Sequence, residues 1–441
     1  MKKEDNTSLW TDSTSSMNPA LAKDVKVDVV VIGAGYTGLS AAYHIKRHFP
    51  DKDVIVLEAE YAGYGASGRN GGMCLNQPSS DYMSMAHPKS HKLTYDATAQ
   101  SIREISEMMR AHGSGDDIRT CGSLLVNCDE NGVEKSKEYA TKAASLGIPI
   151  EYWDRTRVAE ELGTTVYAGG LYDPNAAEVN PMKLVHALKK SAENVGAAVY
   201  ENCPVLQVKE GAPVKLRVSG ANGKPLTVAA EAVVLGANGY VTKLGFFRNR
   251  VIVAHTEMAA TKTLGDDAIS ELGWTGRIPY HDDRIYLYYL GTTEDNRITI
   301  GGGNAEYYFN DGLAYRKNLN RRKLALKNEL TRIYPSMKDI EFEYLWTGVI
   351  TLSLDGAQSV GVIGDEGNLF YGIGYAGHGV TLSYLFGKVI ADIFAGRDDE
   401  WKEMPFYKRR LPSYLPPEPM KYAAVKSYMS YLRFRDVAKR R

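Results

Sequence analysis

The sequence of 441 residues predicts an α/β fold, α+β overall, in which two domains interleave along the chain. Three observations predict it. A β-branched run ending at Gly33 is followed by a helical pattern and a second strand, which together form a β-α-β unit. Strand-like runs alternate with helical stretches again between residues 181 and 235 and after residue 369. Residues 284–300 have the pattern of an antiparallel hairpin, which predicts a second, mainly antiparallel sheet.

The composition is that of a globular protein and excludes several classes of function. Lysine plus arginine number 53 and aspartate plus glutamate number 53, so nothing in the net charge favours binding to nucleic acid or to an anionic membrane. No apolar run reaches the ~18 residues of a membrane span, and no apolar stretch follows the charged start. We expect a cytoplasmic protein. The four cysteines have no Cys-x-x-Cys spacing, so we expect neither a disulfide framework nor a metal site.

The first elements are the most clearly marked. Residues 27–32 are rich in valine, as a buried parallel strand requires. Residues 37–49 carry apolar side chains at helical spacing and end before Pro50, where a helix cannot continue. Residues 54–57 form the second strand.

Later elements divide between the two predicted domains. Further strands are expected at 198–200, 205–208, 232–235 and 369–373, and helices at 181–195 and 420–441, the last with a basic end. The hairpin pairs 284–290 with 297–300. These assignments give a discontinuous first domain of residues 1–115, 165–248 and 352–441, and a second domain of residues 116–164 and 249–351.

A glycine motif follows the first strand and opens the first helix. Gly33, Gly35 and Gly38 match G-x-G-x-x-G in the strand–turn–helix context in which this motif binds a dinucleotide pyrophosphate. Glu58 ends the second strand about 20 residues further on, where a carboxylate binds the adenosine ribose and repels a 2′-phosphate. The sequence therefore predicts FAD or NAD and disfavours NADP.

Two more glycine-rich segments favour FAD. Residues 63–73 contain several glycines and one cation, Arg69, which can oppose a pyrophosphate or the negative charge of a reduced flavin. The alternative for this segment is a flexible surface loop. Residues 368–380 form a strand and a glycine turn before an apolar helix, whose N-terminus should face an electron-rich group such as a flavin edge.

These motifs resemble those of a known family. They are V-V-I-G-A-G-Y-T-G-L-S-A-A, L-E-A, G-A-S-G-R-N-G-G-M and G-Y-A-G-H-G-V. The chain resembles the D-amino acid oxidase superfamily of FAD-dependent oxidoreductases over about residues 27–396, most closely its gamma-glutamylputrescine oxidase-like branch. The resemblance implies a Rossmann-like FAD-binding domain interleaved with an antiparallel substrate domain.

The resemblance also implies which residues contact FAD. They are Gly33, Ala34, Gly35, Tyr36, Thr37, Gly38, Glu58, Ala59, Gly65, Ala66, Ser67, Arg69, Asn70, Gly71, Gly72, Met73, Val205, Gly236, Ala237, Gly348, Gly377, His378, Gly379, Val380 and Thr381. Sarcosine-oxidase-like relatives attach FAD through a cysteine just before the Trp346-Thr347-Gly348 position. No cysteine follows Cys203 here, so we expect non-covalent FAD.

Two departures from those relatives concern the chemistry. Arg297 aligns with a lysine that assists the reaction with oxygen, and keeps its charge but not its reach. Thr381 stands where they have a carboxylate-binding lysine, which disfavours a sarcosine-like amino acid.

The expected reaction is oxidation of the C–N bond of a primary or secondary amine, or of an amino acid derivative. The imine then hydrolyses to an aldehyde or keto acid, and electrons pass to O₂ to give H₂O₂. His255 is a candidate base, with an ordinary strand-end histidine as the alternative. His378 is a second candidate, although its backbone is expected to matter more than its ring. Tyr288 is a candidate for the substrate cavity, with core packing as the alternative. Two other functions stay open: a dehydrogenase that uses a quinone or a carrier protein, and a non-catalytic FAD-binding subunit.

Overall fold

The computed structural model of the chain describes residues 6–11, 16–76, 85, 87–314, 319–356, 358–408 and 411–438. Its strands are β1 Val25–Ile32, β2 Val54–Leu57, β3 Met73–Cys74, β4 Ile118–Arg119, β5 Ser123–Asn127, β6 Glu151–Asp154, β7 Gly169–Asp173, β8 Ala177–Val179, β9 Ala198–Tyr200, β10 Val205–Lys209, β11 Val214–Ser219, β12 Pro225–Leu235, β13 Ile252–Thr261, β14 Tyr280–Asp282, β15 Tyr288–Thr292, β16 Ile298–Gly302, β17 Glu306–Tyr307, β18 Phe342–Leu352, β19 Ser359–Ile363 and β20 Leu369–Ile373. Its α-helices are α1 Tyr36–His48, α2 Pro88–Ala111, α3 Glu130–Ser145, α4 Arg155–Leu162, α5 Pro181–Asn194, α6 Asp266–Glu271, α7 Leu319–Ile333, α8 Gly379–Ala395 and α9 Met420–Ala438.

The first sheet contains the predicted β-α-β unit. Strands β12, β1, β2 and β9 are parallel neighbours, β20 pairs with β12 in parallel, and β10, β11 and β19 add antiparallel edges. Val29, Val30 and Val31 are fully buried because helices cover one face of β1 and a second apolar cluster covers the other. On the helical side, α1 packs against α5 and α8.

The second sheet is mainly antiparallel and contains the predicted hairpin, now β15 and β16. Its order is β17-β13-β16-β15-β14-β5-β7-β6, with β18 also paired to β13. Helix α7 packs against β13, β16 and β18, and its Leu326 and Leu330 join the apolar cluster on one face of the sheet. The mixed α/β class predicted from the sequence is confirmed.

The strand pairing places one segment in a different domain from the one predicted. The limits place residues 165–248 in the first domain. Strand β7 nevertheless lies between β5 and β6 in the second sheet. The change of sheet therefore comes after Asp173 and not at residue 165.

The C-terminal helix α9 fixes a loop that borders the first domain. Lys421 is fully buried, and its Nζ donates to both carboxylate oxygens of Asp311 at 2.8 and 2.9 Å and to the carbonyl of Arg248 at 2.7 Å. The basic residues 439–441 of the predicted helix lie outside the described residues. Within the ranges given above, no helix is both long enough and apolar enough to cross a membrane.

Replacing Lys421 by methionine will destabilise the protein, because it leaves the buried Asp311 carboxylate without its cation. A buried ion pair that loses one partner costs about 3–5 kcal/mol, so the free energy of unfolding should fall by that amount and the urea midpoint should fall with it. The double variant Lys421→Met/Asp311→Asn should recover part of the loss, since asparagine tolerates the positive φ of residue 311. Lys137→Met, which removes an exposed charge, is the control and should leave the midpoint unchanged. A Lys421→Met midpoint equal to that of the wild type would contradict this role.

Candidate functional site

A cavity of about 600 Å³ runs along the edge of the first sheet and reaches the second domain. This volume is within the ~300–1,000 Å³ of small-molecule sites. Many of the residues predicted to contact FAD line it: Gly33, Gly35, Tyr36, Thr37, Glu58, Ala59, Gly65, Ala66, Ser67, Asn70, Val205, Gly236, Ala237, Gly377, Gly379 and Val380. The other predicted residues are not among those that line the cavity: Ala34, Gly38, Arg69, Gly71, Gly72, Met73, Gly348, His378 and Thr381.

Glu58 marks one end of the cavity. Its Oε2 accepts a hydrogen bond from the N–H of Ala34 at 2.7 Å, and its Oε1 accepts one from the N–H of Glu60 at 3.0 Å. Burial raises the pKa of this carboxyl, and the two N–H groups oppose that rise by stabilising the ionised form. The carboxylate is therefore held rigidly beside the glycine turn, where a ribose would bind.

Two helix N-termini open on the same cavity. Helix α1 has Gly35 as its N-cap and α8 has His378, and neither N-cap residue caps its helix with its own side chain. Free N–H groups and the positive ends of two helix dipoles thus meet a single space. Gly38 has no room for a Cβ, because that atom would overlap the carbonyl oxygen of Gly33. These features fit an elongated dinucleotide with an anionic centre.

The glycine-rich segment at 63–73 is packed in place. Asn70 Nδ2 donates to the carbonyls of Ala66 and Ser67 at 3.1 and 2.9 Å, and its Oδ1 accepts from the N–H of Gly72 at 2.8 Å. Ser67 Oγ accepts from the first N–H of α1 at 3.0 Å. Gly72 has a φ of +78°, and a Cβ there would overlap the carbonyl of Val179. The segment is therefore a shaped wall and does not match the alternative of a flexible surface loop.

The Arg69 side chain stabilises this wall through hydrogen bonds. Its Nε donates to the carbonyl of Tyr64 at 2.8 Å, and its Nη1 donates to those of Asn6 and Thr347 at 2.6 and 3.2 Å. Trp346 Nε1 in turn donates to the carbonyl of Arg69 at 2.9 Å. Arg69 thus ties the glycine segment to strand β18 of the second sheet.

Six residues form one line across the second sheet on the face toward this segment. We call them the transverse row: Leu125, His281, Tyr289, Gly301, Met258 and Trp346, each paired in register with the next. A Cβ on Gly301 would overlap the Tyr289 ring, so the glycine lets that ring lie flat on the sheet. A Cβ on Gly71 would lie 2.9 Å from Tyr289 Cε2 and 3.5 Å from Met258 Cε. The row and the glycine segment are therefore in contact.

Arg297 does not reach this contact. It directly precedes β16 and lies four residues before Gly301, a separation of ~13 Å at ~3.3 Å per residue. Its Nε donates to Asp295 at 2.7 Å, and its Nη1 donates to the carbonyl of Thr261 at 2.8 Å and to Glu343. Its charge is neutralised by two carboxylates and it does not line the cavity, so its placement does not support the predicted role with oxygen.

His255 and Tyr288 are also placed away from the cavity wall. His255 is buried, and its Nε2 lies 2.8 Å from the carbonyl of Gly312, so that this nitrogen must be the donor. It supports the loop that places Leu313 and Ala314 against the cavity. Tyr288 is buried in the apolar cluster on the α7 side of the sheet, with the Arg284 guanidinium 4.5 Å from its ring centre. Neither predicted catalytic role is supported by these positions.

The sequence-based prediction named neither Tyr289 nor His281 as a site residue. Alternation along β15 separates Tyr288 from Tyr289, and Tyr289 is the one that faces the glycine segment. His281 carries no local signal, because its position depends on β14 pairing with both β5 and β15.

The family assignment follows from a match along most of the chain. The family model for DAO, FAD dependent oxidoreductase, matches residues 28–393. The chain belongs to the DAO family of FAD-dependent oxidoreductases. The predicted resemblance, the FAD cofactor and the enzyme class are thereby confirmed for this DAO-family protein.

Its relatives include enzymes named for the amines and amino acids on which they act. The chain is 28% identical to gamma-glutamylputrescine oxidoreductase of Escherichia coli K12, over 88% of each chain. It is 27% identical to the probable oxidoreductase OrdL of Haemophilus influenzae, over 95% of this chain and 94% of that one. The crystal structure of glycine oxidase from Geobacillus kaustophilus shares the fold, with a TM-score of 0.72 at 21% identity over 87% of this chain and 99% of that one.

Glu58→Gln should weaken FAD binding, because the neutral amide accepts a weaker hydrogen bond from a ribose hydroxyl than the carboxylate does. The loss of one charge-assisted bond, about 1.5–3 kcal/mol, corresponds to a roughly 10- to 100-fold higher Kd. Titration of apoprotein with FAD measures this, with the exposed Glu366→Gln as a control of equal charge change. Equal affinities for the Glu58 and Glu366 variants would show that Glu58 does not hold the cofactor.

Proposed function

We propose that this protein oxidises the C–N bond of a primary or secondary amine, or of an amino acid derivative, and passes the electrons to O₂ to give H₂O₂. The observation that carries this proposal is the transverse row, which brings Tyr289 and Met258 against the glycine segment of the FAD site. When bound, FAD supplies the electron-accepting chemistry. The chain's own residues enclose the substrate and orient its amino group.

The character of the row favours an amine over a simple amino acid. None of its six residues is a lysine or an arginine, so the row offers no cation to a carboxylate. An amine with a pKa near the lysine value of ~10.4 is mostly protonated at pH 7. An uncharged surface whose residues are buried, apart from the half-buried Tyr289, favours the neutral form of the amine, which is the form that can be oxidised. The similarity to gamma-glutamylputrescine oxidoreductase supports the same substrate class.

We propose that the cofactor is held without a covalent bond. The four cysteines are free thiols, and none of them lines the cavity. Cys74, which directly follows the glycine segment, is fully buried in the first apolar core, and burial raises the pKa of its thiol. A thiol of this kind is a poor nucleophile.

One observation favours a second candidate, a dehydrogenase that uses a quinone or a carrier protein. The cation predicted to assist oxygen, Arg297, is neutralised by Asp295 and Glu343. A relative named D-amino acid dehydrogenase, from Bradyrhizobium diazoefficiens, is 25% identical over 67% of this chain.

The cytoplasmic location of the protein stays a prediction.

Anaerobic mixing with amines tests the reaction. We expect bleaching of the flavin by at least one member of a panel of polyamine conjugates, N-methyl amino acids and aminophosphonates, followed by rapid recovery of the colour and H₂O₂ release when air enters. Bleaching without rapid recovery would favour the dehydrogenase, and no bleaching by any amine would favour a non-catalytic FAD-binding subunit.

Acid precipitation tests the attachment of the cofactor. Because no cysteine lines the cavity, the yellow colour should stay in the supernatant. Flavin that remains with the pellet after washing in denaturant would contradict non-covalent binding.

A further inference from the structure

Residues 6–11, which we call the N-terminal strap, are hydrogen-bonded to the glycine-rich segment at 63–73. The hydroxyl of Ser8, which is 2% exposed, donates to the carbonyl of Gly68 at 2.8 Å. The Nε1 of Trp10 donates to the carbonyl of Asn70 at 2.9 Å. Each bond joins residues 60 positions apart in the chain, so the strap is attached to this segment by tertiary contacts and not by its place in the sequence.

A turn within the strap fixes the direction of the first donor. The N–H of Thr11 donates to the carbonyl of Ser8 at 3.1 Å, and the N–H of Trp10 donates to the Ser8 hydroxyl at 3.1 Å. Serine hydroxyls often stabilise turns in this way. Because the Ser8 oxygen accepts from inside the turn, its own proton is directed outward to the carbonyl of Gly68.

The strap also contacts the second sheet. The Oδ1 of Asn6 accepts a hydrogen bond from the N–H of Thr347 in β18 at 2.6 Å. The side chains of Leu9 and Trp10 pack against an apolar cluster that includes Met258 of the transverse row. The strap therefore touches both the glycine-rich segment of the first domain and the face of the second sheet that meets this segment.

Side-chain donors hold three consecutive carbonyls of the glycine-rich segment. The pairs are Ser8 with Gly68, Trp346 with Arg69, and Trp10 with Asn70. Two of the three donors come from the strap and the third comes from β18. The direction of these peptide units is therefore set from outside the segment.

The same peptide units leave two N–H groups open. A trans peptide is planar, so its N–H points away from its carbonyl. The N–H groups of Asn70 and Gly71 thus point away from the indole groups that hold the carbonyls before them, and neither has an acceptor among the described residues. Asn70 lines the FAD cavity, and Gly71 adjoins Tyr289. Two donors are therefore available to acceptors of a bound FAD.

We propose that the strap positions the glycine-rich segment for the flavin ring of FAD, with Ser8 and Trp10 as positioning residues. Trp10 acts on the peptide unit that contains the N–H of Gly71, whereas Ser8 holds the start of the segment. Hydrogen-bond donors near a flavin tune its electronics, and they stabilise the reduced form, which gains negative charge. The inference concerns the cofactor and holds whichever substrate is oxidised.

The test removes each donor in the full-length protein. Trp10→Phe removes the indole N–H and keeps an aromatic ring, and Ser8→Ala removes the hydroxyl. Trp274→Phe is the matched control, because the Nε1 of this buried tryptophan also donates to a backbone carbonyl, that of Ile278 at 3.0 Å, and Trp274 does not line the cavity. Each variant is purified as holoenzyme and its thermal midpoint is measured. The Kd for FAD is then obtained by titration of the apoprotein, and the reduction potential of the bound flavin by equilibration with a redox dye.

We expect Trp10→Phe to raise the Kd for FAD about 2- to 10-fold, the equivalent of one lost hydrogen bond. The reason is that FAD must then order a segment that the strap no longer holds. The reduction potential should shift to a lower value, because the N–H of Gly71 is no longer fixed. Ser8→Ala should raise the Kd by a similar factor with a smaller shift of the potential. Trp274→Phe should keep the wild-type Kd and potential, whatever its thermal midpoint.

Wild-type values of both the Kd and the potential in Trp10→Phe and Ser8→Ala would overturn the proposal. A lower thermal midpoint with both values unchanged would also overturn it, since the strap would then support only the fold. If Trp10→Phe yields no holoenzyme, the Kd of Ser8→Ala decides. Neither the Kd for FAD nor the potential requires a substrate, so a failure of the proposed amine oxidation leaves this test intact.

Discussion

The register of the second sheet is the constraint on which the candidate site depends. Strands β5, β14, β15, β16, β13 and β18 are aligned so that six residues form a single line, the transverse row. A shift of one residue in any strand would turn its member of the row to the opposite face. The row also needs glycine at position 301, because only a residue without a Cβ lets the Tyr289 ring lie against the backbone and contact Gly71. Contact between the two domains at the cofactor thus follows from strand pairing.

The two domains contribute different parts of the site. The first domain supplies the dinucleotide end of the site, with the helix N-termini of α1 and α8 for an anion and Glu58 for a ribose. The second supplies the apolar and aromatic surface on which a substrate would lie. Arg69 and Trp346 join the two by hydrogen bonds to backbone carbonyls, so the distance between the glycine segment and the sheet is fixed. The buried Lys421–Asp311 pair and the His255–Gly312 bond hold the loop at the far wall in the same way.

Local signals in the sequence predicted the FAD half of the site well. The strand before Gly33, the glycine turn and Glu58 are close together in the chain, and each has one physical reason for its residue type. The hairpin at β15 and β16 was also predicted, but which of its faces meets the cofactor was not. Alternation along the strand puts Tyr288 and Tyr289 on opposite faces of the sheet. Which face meets the cofactor depends on the elements that pack against the sheet. Arg297 was assigned because it aligns with a lysine of sarcosine-oxidase-like relatives. Cross-strand pairing decides which residues of a sheet lie together, however, and Arg297 precedes β16, four residues from Gly301. His281 had no signal at all, since β14 is three residues long and is placed by strands distant in sequence.

The central claim is that the transverse row faces the bound cofactor. A crystal structure of the oxidised holoenzyme tests it most directly. The account predicts that the flavin ring lies within van der Waals contact, about 4 Å, of Tyr289, Met258 or Gly71. A flavin ring found against Tyr288 or Arg297, with Tyr289 turned away from it, would contradict the account.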